Sequence, residues 1–523
     1  MIGDDNVSYR PICFYRLILN RLPSHLYFFT FAESKNQKLY KKLFGQTAMY
    51  GLTTIIIRLF PFILSPYIFE AFGPTAYAPY ADFYSVAGII IVLLTHGMET
   101  TFFRFALDEK DSKKLISTAF FSVLFAALSF LILGLAFREP LAVAFKTPDQ
   151  VHLLSLLVMI LALDAFSAMP FVILRKQERP LKFAVIKTIN GIINFCLVIF
   201  FIKILPSFPQ GILGLKYSPE FGIGYVFVAN LIASVVTFLL LSGELFAARI
   251  RHFDPTLWKK MLKYSLPIMF AGLAGIVNET LDRQFLKFLL PDGIAQEQLG
   301  IYGGVTKIVT FVLLFKQAYV LGVEPFFFSH SKNENSRATY ARLMDVFITA
   351  NCLIILFLTV NLSWLAPMYL RNPAYFIGID ILPVLFIATL FLGIYLNLSV
   401  WYKLTDRTVY GAYISVAGAA VTIVINVVFI PQFGYWASTW ATLAAYFVMM
   451  MISLIWGQAR FPIPYHFYRN TVIILITIIV ALAYYQNLKQ YILLGNIIFL
   501  VLAAFFIINQ KLIPARMLNK IKK

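Results

Sequence analysis

The chain has 523 residues, 60% of them hydrophobic and 13% charged, with 44 Lys+Arg against 25 Asp+Glu and a net charge of +19. So small a polar fraction cannot cover a soluble globule of this length, so the bilayer serves as solvent. The basic excess sits on short loops such as Arg175-Lys176-Gln177-Glu178-Arg179, where it reads as topology and argues against nucleic acid as a partner.

Residues 1–42 are mixed, with Pro11, Pro23 and scattered basic residues, and they lack the apolar core of a cleavable signal. Tyr27 to Phe31 is too short to span, so this stretch reads as a cytoplasmic N-terminal extension. About fourteen apolar runs follow, each long enough to cross a hydrocarbon core of ~30 Å. The first half of the chain gives Leu43–Pro66, Ala81–Phe103, Leu115–Phe137, Val151–Leu174, Phe183–Ile202 and Gly222–Ala247. Tyr264–Leu290, Leu299–Val323, Leu343–Leu365 and Ile377–Val400 come next, then Val409–Ile430, Tyr435–Trp456, Thr471–Tyr485 and Tyr491–Asn509. All are expected to be helices, because lipid offers no partner for an open backbone group. Pro61, Pro170, Pro267 and Pro383 fall inside them, where the lost backbone bond permits a bend.

The even number of spans places both termini on one face. Most of the 44 Lys+Arg lie on the tails and the even-numbered connections, so that face is expected to be cytoplasmic. No connection is long enough to fold as a domain, so the chemistry must lie within the membrane. Cys13, Cys196 and Cys352 have no metal or redox spacing and read as packing residues.

Charge inside a span is costly, so each such residue is expected to face a cavity or a partner. Arg58 lies past the middle of the first run, too deep to snorkel comfortably. Arg283 is deep in the seventh, with Glu279 four residues earlier on the same face and Asp282 beside it; an ion pair near the outer mouth and a cavity ligand are both open readings. Lys307 and Lys316 share the eighth run but are nine residues, two and a half turns, apart, so they are expected on opposite faces. Lys187, near the end of its run, has the reach to snorkel. Asp164 is the acid nearest a midplane and must be protonated, paired or bound to a coupling cation. His96 and Glu99, three apart in the second run, are expected on one face, as a proton relay or as a local hydrogen bond at the helix end. Asp345 and Asp380 lie near run ends and are expected to be solvated. A weak repeat is also visible: Arg58 precedes Gly73-Pro-Thr-Ala-Tyr77-Ala-Pro-Tyr80, and Arg283 precedes Gly300-Ile-Tyr302 six helices later, as in a body of two parallel repeats. There is no phosphate loop, no metal cluster and no nucleophile motif, and the first external loop offers Glu70 as its lone acid, so an enzyme is not expected.

Gly97-Met-Glu99-Thr-Thr-Phe-Phe-Arg104, Leu281-Asp-Arg283, Gly300-Ile-Tyr302 and Glu324-Pro-Phe-Phe-Phe328, in order and in register with the spans, resemble the oligosaccharide and lipopolysaccharide (O-antigen-type) flippases of the multidrug/oligosaccharidyl-lipid/polysaccharide exporter superfamily. The resemblance covers roughly residues 43–510. It implies an all-α integral membrane fold: an N-terminal six-helix lobe at 43–247, a C-terminal six-helix lobe at 248–457, two extra helices at 458–510 and a cytoplasmic tail at 511–523. The implied activity is alternating access in a bacterial inner membrane, driven by an H⁺ or Na⁺ gradient without a cofactor. It moves polyprenyl-pyrophosphate-linked oligosaccharide to the outer leaflet, with a polysaccharide polymerase and chain-length regulator as partners. A doubly anionic head requires a cationic cavity, which points to Arg58 and Arg283, then Lys307, Lys316 and Lys187. Ion coupling falls to Asp164, then Glu99 with His96, then Glu279 and Asp282. A multidrug exporter, which favours an acidic aromatic cavity, and a lipid II flippase are the alternatives; a membrane polymerase or ligase is the alternative of another class.

Overall fold

In hydrocarbon every backbone N–H and C=O must be paired within the chain, and a run of helices meets that demand. The computed structural model describes residues 36–510 except 108, 110, 213, 247, 331–335 and 406. The rest of the N-terminal extension, with Cys13 and Tyr27 to Phe31, and the tail 511–523 lie outside the described residues, as do most side chains of the Glu324–Phe328 motif. The chain divides into two units, Met1–Ala48 and Met49–Lys523. The first is described only as the opening of helix α1.

The helices are α1 (Asn36–Ala71), α2 (Pro74–Thr95), α3 (Met98–Phe105), α4 (Ser112–Ala136), α5 (Arg138–Ala144), α6 (Val151–Lys176) and α7 (Pro180–Ile199). Then come α8 (Gly224–Leu240), α9 (Ser242–Leu245), α10 (Pro255–Leu289), α11 (Asp292–His330), α12 (Ser336–Val360) and α13 (Leu362–Leu370). The last are α14 (Leu382–Leu398), α15 (Val400–Leu404), α16 (Val409–Phe433), α17 (Tyr435–Arg460), α18 (Phe467–Asn487) and α19 (Ile492–Asn509). Among the described residues, 13 helical stretches are long and apolar enough to cross a membrane. The expected sixth span is α8, an apolar helix of 17 residues. At ~1.5 Å per residue it is shorter than a full hydrocarbon core.

Local chemistry sets the element ends. Asp111 caps α4 by accepting from the amides of Lys113 (3.0 Å) and Lys114 (3.2 Å). Asp254 caps α10 through Thr256 (2.7 Å) and Leu257 (3.1 Å), and is itself paired to Lys114 at 2.6 Å. The Lys114 hydrogen bond holds the Asp254 carboxyl below its ordinary value. The second expected span is broken: His96 (φ 35) and Gly97 (φ 68) are both left-handed and separate α2 from α3. A side chain on Gly97 would also stand 2.8 Å from the carbonyl of Ser265, so a glycine is required there.

Pro61, Pro170 and Pro267 lie inside α1, α6 and α10 as expected. Pro383 does not lie inside a continuous α-helix: residues 373–381 are 3₁₀ and α14 starts at Leu382, so this proline occupies the first turn, where its missing N–H costs nothing. The packing centre of the second half is α14, against α17 and α12. Trp401 and Tyr375, at its two ends, are fully buried.

Asp345 is not solvated. It is 0% exposed and accepts hydrogen bonds from His466 (2.7 Å) and Asn470 (2.9 Å), with Arg469 at 3.8 Å. It fastens α18 to α12, because only paired can a carboxylate be this deeply buried. Asp380 is 53% exposed and bonds Tyr485 and Lys489, in keeping with its place at a helix end.

Candidate functional site

Helix α2 packs along α10 and α11. The approach of α2 to α11 is close because Gly300 lies against Pro74, where a Cβ would overlap the Pro74 carbonyl, and Gly303 lies against Ala81. Around this three-helix contact stand most of the deep charges.

Arg283 is half-buried on α10. Its guanidinium donates to the Thr306 hydroxyl (3.2 Å) and the Glu279 carbonyl oxygen (3.4 Å), and it lies 5.8 Å over the Tyr302 ring. The Tyr302 hydroxyl donates to the carboxylate of Asp282, which is 5% exposed. Thus Asp282 accepts from Tyr302 and from the Arg283 amide (3.0 Å), and the Arg283 guanidinium is aimed by Thr306. Lys307 stands within electrostatic reach of Arg283, and Lys316 within reach of Glu279 and of Arg58 on α1. The two lysines were expected on opposite faces, and each stands within reach of a different charge of α10. They engage different levels of it. Arg58 and Glu279 are exposed although they belong to the interior of their helices. Among the described residues, the ion pairs include none of Arg58, Arg283, Lys307 and Lys316. Four cations with one exposed acid among them form an anion-attracting region.

Asp164 lies on α6, which packs against α2 and α8. It accepts from Ser234 of α8 at 2.8 Å, keeps an exposed surface, and has Lys187 within electrostatic reach. Lys187 lies 4.2 Å over the Phe171 ring, so its charge rests against an aromatic face within the bundle. Nearby, Asn230 donates to the hydroxyl of Tyr84, and Asn190 donates to Thr237 at 2.9 Å.

His96 and Glu99 do not share a face. The left-handed pair His96-Gly97 ends the helix between them and turns them apart. His96 Nδ1 meets the Leu94 carbonyl at 2.9 Å, which accepts only, so Nδ1 carries the proton; Nε2 then accepts from Ser122 at 2.9 Å. Ser122 in turn accepts from the Trp258 indole at 2.9 Å. Glu99 is paired with Arg175 of α6, whose guanidinium lies 5.1 Å over Phe103. The direct relay expected between them is absent.

One constellation escaped the reading of the sequence. Lys287 pairs with Asp82, and Gln284 donates to Asp82 Oδ1 (2.6 Å) and to Ser85 (2.8 Å). Asp82, Gln284 and Lys287 are 3%, 8% and 7% exposed. The available signal was the spacing Glu279, Arg283, Lys287, which continues one charged face of α10 by a further turn.

Residues 44–330 match the family described as polysaccharide biosynthesis protein. No curated protein sequence matches the chain. Among solved structures, the inward closed conformation of the lipid II flippase MurJ is similar with a TM-score of 0.68 and 14% identity, covering 88% of this chain and 98% of that one. An inward-facing multidrug resistance MATE family transporter of the MOP superfamily gives 0.63 and 16%, covering 78% and 98%. A MOP superfamily transporter from Pyrococcus furiosus, described with a binding pocket of reverse polarity, gives 0.53 and 14%, covering 79% and 95%. At these identities the likeness is one of fold.

Proposed function

The chain belongs to the polysaccharide biosynthesis protein family and is a multi-pass membrane protein with the exporter and flippase fold; on that premise we propose that it flips polyprenyl-pyrophosphate-linked oligosaccharide from the cytoplasmic to the outer leaflet. Family and fold place it among transporters rather than enzymes. The observation that carries the cargo assignment is the set Arg58, Arg283, Lys307 and Lys316, cations that no carboxylate pairs among the described residues. A diphosphate cannot enter hydrocarbon bare, and an Arg fork matches its oxygens bidentately. A cationic drug would be repelled by the same set, which favours the lipid-linked cargo over a multidrug substrate.

The working cycle is alternating access in a bacterial inner membrane, with the termini cytoplasmic, the lobes at 43–247 and 248–457, and a polymerase and chain-length regulator receiving the product. Coupling to H⁺ or Na⁺ is assigned to Asp164, an exposed carboxylate inside the bundle that holds Ser234 as a partner. The assignment is tested with purified protein in vesicles loaded with a fluorescent lipid-linked oligosaccharide, read by access of the glycan to a lectin outside. Native protein that fails to expose the glycan under either gradient overturns the cargo.

A further inference from the structure

We propose that Asp82 and Lys287, braced by Gln284 and Ser85, form the outer latch of the transport cycle: a pair closed and buried in this state, and parted each time the cavity opens outward. The proposal rests on the alternating-access reading above. Asp82 belongs to α2 and Lys287 to α10, so the pair joins the first lobe to the second. It sits one helical turn beyond Arg283, on the face that carries the loops 71–74, 137–151 and 290–292, external by the distribution of basic residues. A second pair crosses the same face, Lys146 to Asp292 at 3.2 Å, between the end of α5 and the start of α11. Both pairs line one cavity of about 360 Å³, with Gln150 and Gln296 on its wall.

The chemistry suits a switch better than a glue. A buried pair is tolerable when closed, because each charge satisfies the other, and tolerable when open, because water then solvates each separately. The state between, unpaired and still dry, is the unfavourable one, so the element is bistable. The small residues beside it serve the same end. Gly300 against Pro74 and Gly303 against Ala81 let α2 and α11 close without side chains between them. Arg283 is not among the residues that line the 360 Å³ cavity; in the latch, separation of these backbones joins the two.

The test reads conformation without cargo. In protein with its three cysteines replaced, a probe cysteine at Thr310, one turn from Thr306 on the same face of α11, is labelled in intact cells by a membrane-impermeant maleimide. Asp82→Asn and Lys287→Gln should each raise the labelling rate several-fold, and the exchange of both charges, D82K with K287D, should return it toward the native rate. Should a single variant not accumulate, K146C with D292C, joined by a short bis-maleimide, supplies the converse: labelling at Thr310 should stop. Native-rate labelling in the accumulated single variants, or persistent labelling across the cross-link, overturns the latch. Because no lipid is needed, labelling that responds while native protein moves no lipid-linked sugar rejects the cargo assignment and leaves the latch standing.

Discussion

The Thr306 hydroxyl on α11 accepts a 3.2 Å hydrogen bond from the guanidinium of Arg283 on α10, and this bond fixes the direction of the fork across the two helices. Asp282 is meanwhile taken by the hydroxyl of Tyr302, whose ring underlies the same guanidinium at 5.8 Å. The arginine is thereby oriented but left with its charge uncompensated by an ion pair, which is what a site for a diphosphate requires.

Truncation of the cationic side chains should therefore slow transport. Arg58→Ala and Arg283→Ala, at native abundance, are expected to reduce flipping of lipid-linked oligosaccharide tenfold or more, about 1.4 kcal/mol or above. Lys at either position should restore part of the rate, since it keeps the charge and loses the fork. Unchanged rates in both alanine variants would reject the cationic cavity.

Thr306→Val tests the aiming of Arg283. It removes an acceptor while keeping the volume, so protein abundance should hold and the apparent affinity for cargo should fall several-fold, with Thr306→Ser restoring it. An affinity equal to the native value would make the hydrogen bond a bystander.

Coupling through Asp164 predicts a separation of two properties. Asp164→Asn should keep cargo binding and lose the dependence on ΔpH or Na⁺, measured in vesicles with imposed gradients. Glu99→Gln should leave gradient dependence intact, because Glu99 is held by Arg175 and has no bond to His96. The idea fails if the Asp164 variant still follows the gradient.

The cap of α10 should respond to acid. Its Asp254 carboxyl, held low by the Lys114 hydrogen bond, contributes helix stability that is fully present above the ordinary carboxylate pKa of about 4 and lost as pH falls through the depressed folded value. Hydrogen-exchange protection of the Thr256 and Leu257 amides, taken relative to intrinsic exchange at each pH, should fall below about pH 4 and, at neutral pH, in Asp254→Ala. Protection that is flat across this range would reject the cap.

Gly300→Leu should be among the most damaging substitutions in the chain. The site has no room for even a Cβ beside Pro74, so the longer side chain must force α2 from α11 at a cost of about 1–3 kcal/mol or more. Thermal unfolding in detergent reads this as a lowered midpoint, and Gly300→Ala should fall between the two.

How much of this was legible beforehand differs by residue. Solvent partition settles which stretches lie in lipid, so composition alone yields the helical class, the order of the spans and the list of deep charges Arg58, Asp164, Arg283, Lys307 and Lys316. Family membership is legible in the sequence too, through a match that runs over residues 44–330. Partnership is not local. Helical spacing placed His96 and Glu99 on one face, but a left-handed turn at His96-Gly97 divided them. The glycine of that turn lies against Ser265, far along the chain. Proximity to a helix end made Asp345 look solvated, yet α18 covers it and supplies its partners. The Asp82–Lys287 pair brings together residues 205 apart, and no periodicity within α2 or α10 names the other helix. Along a membrane chain, each residue's own transfer free energy decides its depth; which charges meet is decided by how separate helices pack, and that energy belongs to pairs that only the tertiary structure creates.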